Sequence, residues 1–337
     1  RGSNSGASLF TASPQRSDCM HTGGVHANTA AILSAKDLSP PSPLSVVASP
    51  REATSSLGNT SVECVATGSD CVLAPDDASD HGSRIPSHVP SVNWEMLKSV
   101  KEIGSGQFCQ VSGATLCGSA VAVKVLKDEH IGNGLARRDL VAEIQIMADL
   151  HHPGVLALMG AGETPDRKPF VVLQQLKETL ASTLPRSGSS YFAREAALKR
   201  WSLTRALQCG LELADALRYL HDEAISGFFI LHRDIKPDNL GFLADGKLVL
   251  FDFGLAKLCK VDPNEAPGAG RTLTGEVGTP RYMAPEVACS RPYGVAAETY
   301  SFSILLWQMA SHELPFCGLD WQSFLRVVAE NGQRPPL

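Results

Sequence analysis

The stretch ILHRDIKPDNLGFLADGKLVLFDFGLAK, residues 230–257, constrains this chain more than any other part of its sequence. Asp234, Lys236 and Asn239 fall within one loop, and Asp252 follows the apolar run KLVLF, which reads as a strand. Such a strand brings two carboxylates and an amide to the same end of a cleft. Hard oxygen donors beside a cation form a geometry suited to a metal ion and a phosphate.

The rest of the sequence supplies the two kinds of structure that can form a cleft. From Trp94 onward, LKSVKEIGSG, FCQVSGATL and SAVAVKVL read as three short strands joined by Gly-containing turns. GLARRDLVAEIQIMADLHHPG follows, with Leu140, Ile144 and Met147 at helical spacing and Pro153-Gly154 ending the pattern. Two further strands are predicted over Val155–Leu158 and Phe170–Leu173. After Pro185 the chain becomes mainly helical: Leu203, Leu207, Leu211, Ala214, Leu217 and Leu220 are predicted to share one apolar stripe, and ETYSFSILLWQMA reads as a thoroughly buried helix. Sheet first and helices second predict an α+β, two-lobe architecture with a cleft between the lobes.

Composition narrows the setting. With 337 residues, 43% of them hydrophobic, there is ample material for a core. Thirty basic against thirty-five acidic residues leave a formal charge of -5, so no global field draws the chain to nucleic acid or an anionic membrane, and phosphate binding must be local. The nine cysteines are scattered without a C-x-x-C pair, which predicts free thiols and an intracellular setting. No apolar run is long enough to span a bilayer and no signal peptide is visible. The chain begins with Arg1, so it is read as a fragment, and an upstream membrane segment stays open. Residues 1–91, rich in Ser, Thr, Ala, Gly and Pro, predict a disordered tail. Its Ser-Pro dipeptides, at Ser13, Ser39, Ser42 and Ser49, are weighed as proline-directed phosphorylation sites against a plain solvated linker.

IGSGQFCQV, residues 103–111, adds a glycine loop of the phosphate-holding kind, with Cys109 where a third glycine usually sits. Transferring a γ-phosphoryl group requires oxygen ligands for Mg²⁺, a cation on the phosphates and a carboxylate to orient the incoming hydroxyl. Glycine loop, VAVK (121–124), helix glutamate, HRD-K-N, DFG and APE (284–286) follow in order, and from about Trp94 to its end the chain resembles the eukaryotic protein kinases. The resemblance implies ATP and Mg²⁺ as cofactors, an N-lobe over about 92–175 and a C-lobe over about 176–337 that is incomplete at its end. It also implies that Ile103, Gly104, Gly106 and Val111 cover the nucleotide, that Ala122 walls the adenine, and that Lys124 meets the phosphates with Glu143 as its helix partner. Leu173 would guard the back of the adenine pocket, with Gln174 and Gln175 offering backbone groups. Asp234 would be the catalytic base, Lys236 the lysine near the transferred phosphate, and Asn239 and Asp252 the Mg²⁺ ligands. Each piece alone is weak, since an isolated lysine or glutamate usually lies on a solvated face; the joint order is specific.

Lys236, two residues after Asp234, and GTPRYMAPE with Thr279 are similar to serine/threonine kinases, which implies a protein substrate with a Ser or Thr acceptor. The texture YSFSILLWQMASHELPF is similar to the tyrosine-kinase-like group. Arg233 implies control by an upstream kinase through the activation loop, with Thr272 and Thr274 as candidates against a reading as plain loop threonines. Thr279 is expected to be a structural residue of the substrate-binding loop. Four departures stand out. Cys109 is expected to fit if its φ is negative, as a small filler rather than a redox group. Gly241 predicts a roomier adenine site whose floor comes from another residue. Glu298, where an aspartate is usual, predicts a loosened catalytic loop. Glu286 is expected to lack its usual arginine partner. These departures keep a second reading open, a nucleotide-binding pseudokinase or scaffold acting through protein contacts. A tyrosine kinase is a third, and Lys236 stands against it.

Overall fold

The computed structural model describes residues 84–106, 108–130, 134–185, 191–264 and 270–336. Most of the expected tail, with its Ser-Pro dipeptides, lies outside the described residues. The packed chain nevertheless begins before residue 92, because Val89 is buried and Ser91 forms a parallel bridge with Ala161.

Strands β1 (Leu97–Ser105), β2 (Cys109–Leu116) and β3 (Ser119–Leu126) precede helix α1 (Gly134–Ala148), and β4 (Leu158–Glu163) and β5 (Pro169–Gln174) complete an antiparallel sheet in the order β1-β2-β3-β5-β4. Alternation along β3 and β5 explains its two faces. Val121, Val123, Phe170 and Val172 form one apolar layer, while Ala122, Val171 and Leu173 share the other with Leu140, Ile144 and Met147 of α1. The predicted strand Val155–Leu158 is displaced. Leu156 N–H donates to the Leu250 carbonyl (2.9 Å) and Leu250 N–H to that of Gly154 (2.9 Å), so this run is drawn across to the second lobe and β4 starts only at Leu158.

The second lobe contains β6 (Glu178–Thr179), α2 (Leu180–Thr183), α3 (Tyr191–Arg200), α4 (Leu203–Arg218), β7 (Phe228–Leu231), β8 (Leu240–Phe242), β9 (Leu248–Leu250) and β10 (Lys257–Lys260), then α5 (Pro285–Ala288), α6 (Val295–Ser311) and α7 (Trp321–Phe324). Its strands form two small sheets, β6-β8-β9 and β10-β7. Ser202 caps α4, its hydroxyl accepting the N–H of Arg205 (3.2 Å). The predicted stripe on α4 is split between two faces. Leu217 and Leu220 are buried, but Leu203, Leu207 and Leu211 are 59%, 51% and 73% exposed, and Ala214 is exposed too. The buried face carries Ala206, Cys209, Gly210 and Ala216, small residues that let α4 approach α6 closely, together with Leu213. In α6, Ala297, Glu298, Ile304, Leu305 and Met309 are buried whereas Thr299 and Ser303 are exposed, so one face rather than the whole helix is covered. Among the described residues no helix is long and apolar enough to cross a membrane, and Cys109, Cys117, Cys209, Cys259, Cys289 and Cys317 are free thiols.

Candidate active site

The loop after β7 is pinned to the end of β9. His232 Nδ1 accepts the N–H of Asp234 (3.3 Å), so Nε2 carries the proton and donates to the Phe251 carbonyl (3.0 Å), while Phe251 N–H donates to the Asn239 carbonyl (3.0 Å). These bonds place Asp252 beside the loop, as the spacing predicts. Asp252 itself is left-handed, at φ 66° and ψ 72°, a conformation that its surroundings must hold in place.

Within the loop, Asn239 Nδ2 donates to the Asp234 carbonyl (2.9 Å) and to Asp234 Oδ2 (3.0 Å). Lys236 Nζ stands 2.7 Å from Asp234 Oδ2 and donates to Thr279 Oγ1 (2.9 Å), and the Thr279 hydroxyl donates to Asp234 Oδ1 (2.8 Å). Asp234, Lys236 and Asn239 are buried, so both carboxylate oxygens are held from three directions in a low-dielectric setting. The Thr279 hydroxyl thus touches the central carboxylate. Gly278 permits this, since its φ is +98° and an added Cβ would stand 2.5 Å from the Arg233 carbonyl.

Across the cleft, Lys124 of β3 donates to Glu143 Oε1 (2.8 Å) and Oε2 (2.7 Å) on α1 and to Asp252 Oδ1 (3.1 Å). Burial opposes its charge, but the carboxylates of Asp252 and Glu143 outweigh that and hold the ammonium well above the ordinary lysine range. The pocket here is lined by Gly106, Val111, Lys124, Glu143, Leu173 and Asp252. Leu173 faces Ala122 in the β3–β5 register, and Ile103 and Gln175 both lie near Gly113, where an added Cβ would stand 3.4 Å from Ile103 Cγ2 and 3.6 Å from Gln175 Nε2. Cys109 opens β2 without a positive φ, is buried, and lines the same pocket near Lys124.

Two expected departures come out differently. Gly241 leaves no extra room, because another residue does take up the space, as expected: a Cβ there would stand 2.6 Å from Leu176 Cδ1 and 3.2 Å from the Glu178 carbonyl, so Leu176 fills the volume. Glu298 does not free the loop. Its buried carboxylate accepts from Arg233 N–H (2.6 Å) and from His221 Nε2 (2.7 Å), the longer side chain spanning both. Glu286 is half-buried. Arg233 donates to the Leu255 carbonyl (2.6 Å) and to the Tyr293 hydroxyl (3.2 Å), which donates onward to the Thr274 carbonyl (2.8 Å). Thr272 and Thr274 are both exposed. Sequence reasoning missed His232, His221 and Tyr293; HRD gave a local signal for His232, whereas Tyr293 is remote in sequence from what it touches.

A protein kinase domain profile matches residues 97–332, well over half of the chain. The chain belongs to the protein kinase domain family. Its two-lobe α+β fold is the fold of that domain, and the chain is similar to kinases with much longer sequences. It is 29% identical over 262 residues to the serine/threonine-protein kinase VIK of Arabidopsis thaliana, covering 74% of this chain and 55% of that protein. It is 27% identical over 267 residues to STY17 of Arabidopsis thaliana, covering 79% and 41%, and 32% identical over 233 residues to CTR1 of Arabidopsis thaliana, covering 68% and 26%. The chain thus spans between 16% and 55% of the length of the curated relatives it matches. The donor set of this kinase domain fits Mg²⁺: Asn239 Oδ1 is buried with no hydrogen-bond partner and is the hard oxygen such a cation takes.

Proposed function

We propose that the chain carries an active, ATP- and Mg²⁺-dependent protein kinase acting on Ser and Thr hydroxyls of protein substrates in an intracellular setting. The observation that carries this reading is Lys124, which at 2.7 Å from Glu143 and 3.1 Å from Asp252 joins the glycine-loop lobe to the lobe bearing Asp234. Ile103, Gly104, Gly106 and Val111 would cover the nucleotide, Ala122, Leu173 and Gln175 would bound its base, and Lys124 would meet its phosphates. Asn239 and Asp252 would hold Mg²⁺, which supplies positive charge against the phosphates when bound. Asp234, fixed by Asn239, Lys236 and Thr279, would orient the acceptor hydroxyl and accept its proton. Lys236, 2.7 Å from Asp234 Oδ2, would place its charge beside the transferred group. Positioning and electrostatics then supply most of the barrier reduction.

The Lys236–Thr279 link and the names of the relatives support a Ser/Thr acceptor, and their likeness supports the tyrosine-kinase-like grouping. The scaffold reading loses two of its motives, since Leu176 fills the space at Gly241 and Glu298 anchors the loop. For control by an upstream kinase, Thr274 is favoured over Thr272, because its carbonyl already receives the Tyr293 hydroxyl that contacts Arg233. The reading is tested with radiolabelled ATP, Mg²⁺ and a generic basic protein, followed by phosphoamino-acid analysis. Label on serine or threonine that Asp234→Asn and Asp252→Ala both abolish is the expected result. Nucleotide binding without transfer, from folded protein phosphorylated on its activation loop, would establish the scaffold instead.

A further inference from the structure

Strand β4 is the edge of the sheet, and an uncovered edge leaves unpaired N–H and C=O groups. Residues 84–92 cover it. Ala161 N–H donates to the Pro90 carbonyl (3.0 Å) and Val92 N–H to the Ala161 carbonyl (2.9 Å). Two glycines of β4 make room for this segment. An added Cβ on Gly160, whose φ is +156°, would stand 2.6 Å from Val92 Cγ2 and 2.7 Å from the Pro90 carbonyl, and one on Gly162 would collide with the Val92 carbonyl. Glycine weakens a strand interior, so its presence at both positions matches the close passage of another backbone.

The segment is anchored on both faces of the sheet. Val92 joins Phe170 and Val172 on one face. Val89 joins the cluster that contains Leu140, Ile144 and Met147 of α1, with Ile85 packed against it. Polar ties reach the C-terminal half of the same helix and the residue just past it: Gln145 Nε2 donates to the Arg84 carbonyl (3.1 Å), and His88 Nε2 lies 3.3 Å from Asp149 Oδ1. Gln145 stands two residues beyond Glu143, whose carboxylate grips Lys124.

We propose that residues 84–92 form a built-in brace that fixes α1 to the sheet edge and thereby positions Glu143 against Lys124. The brace's consequence for phosphoryl transfer rests on the kinase reading; its effect on α1 does not. The test is hydrogen exchange on the full chain without nucleotide, comparing α1 with α6. Val89→Ala removes the apolar anchor, and His88→Ala with Gln145→Ala removes the surface ties without touching the core. The brace predicts that α1 amides exchange about fivefold faster in both variants while α6 is unchanged. It also predicts that kcat/KM for ATP falls in parallel and that Val89→Ile keeps the unaltered values. Unchanged α1 exchange in both variants, or equal acceleration of α1 and α6, overturns the proposal. Failure of the kinase reading would look different: no transfer by the unaltered chain, with its α1 exchange slow.

Discussion

Single atoms settle two matters at the cleft. Leu176 occupies the volume that a side chain at position 241 would need, so Gly241→Leu forces overpacking and should cost about 1–3 kcal/mol. Adding Leu176→Ala should recover most of that loss, read as the midpoint of urea unfolding; a full penalty in the double variant would show that the two side chains do not compete. Lys124 bears on pH. Its folded-state pKa is raised, because Asp252 and Glu143 outweigh the desolvation that lowers it. A raised value contributes stability that is complete below the unfolded lysine value of about 10.4 and is lost only as pH climbs through the folded value. Between about pH 7.5 and 9.5, nucleotide affinity should therefore show no titration from this group. Calorimetric binding of an ATP analogue across that range checks it, and a slope that vanishes in Lys124→Arg would contradict it. Lys124, Asp234, Asn239 and Asp252 were legible as a site because each lies in a short local pattern. The partners of Glu298 and Thr279 were not, since both contacts join segments far apart in sequence.

At the scale of elements, α4 shows where periodicity stops being informative. Leu203, Leu207 and Leu211 recur at helical spacing and truly share a face, but the face turned inward is the one with Ala206 and Gly210. Spacing says which residues align, and the shape of the neighbouring helix says which side can approach. Leu211→Gln should change the unfolding free energy by less than about 0.5 kcal/mol. Leu213→Ala on the buried face should cost about 2–5 kcal/mol in the same denaturation series. Comparable losses would mean that the leucine face is covered in solution. Strand β4 gives a similar lesson: the apolar run before it was readable, but its pairing with Leu250 across the lobes shifted the strand's start.

For the whole molecule, the two lobes meet through Lys124 and Asp252 and through Leu156 and Leu250, so the cleft exists only when both are folded. The activation segment joins this assembly through Tyr293, which links Thr274 to Arg233. A phosphate on Thr274 would give the Arg233 guanidinium an anion and tighten that link. Phosphorylated protein should turn over about tenfold faster than Thr274→Ala, and Arg233→Ala should erase the difference; steady-state rates on one peptide decide it.

By itself, the sequence determined the lobe order and the cleft, and its ordered motifs pointed, through their resemblance to the kinases, to the polar set Lys124, Glu143, Asp234, Lys236, Asn239 and Asp252. Strand alternation, helical spacing and chemically demanding residues in short loops are all written locally. Only the tertiary structure decided which face of α4 is buried, that Leu176 replaces a side chain at Gly241, that Thr279 closes on Asp234, and that residues 84–91 pack on β4 rather than belong to a tail. Each of these depends on two distant parts of the chain competing for one volume or completing one hydrogen-bond set, and no local pattern carries that information.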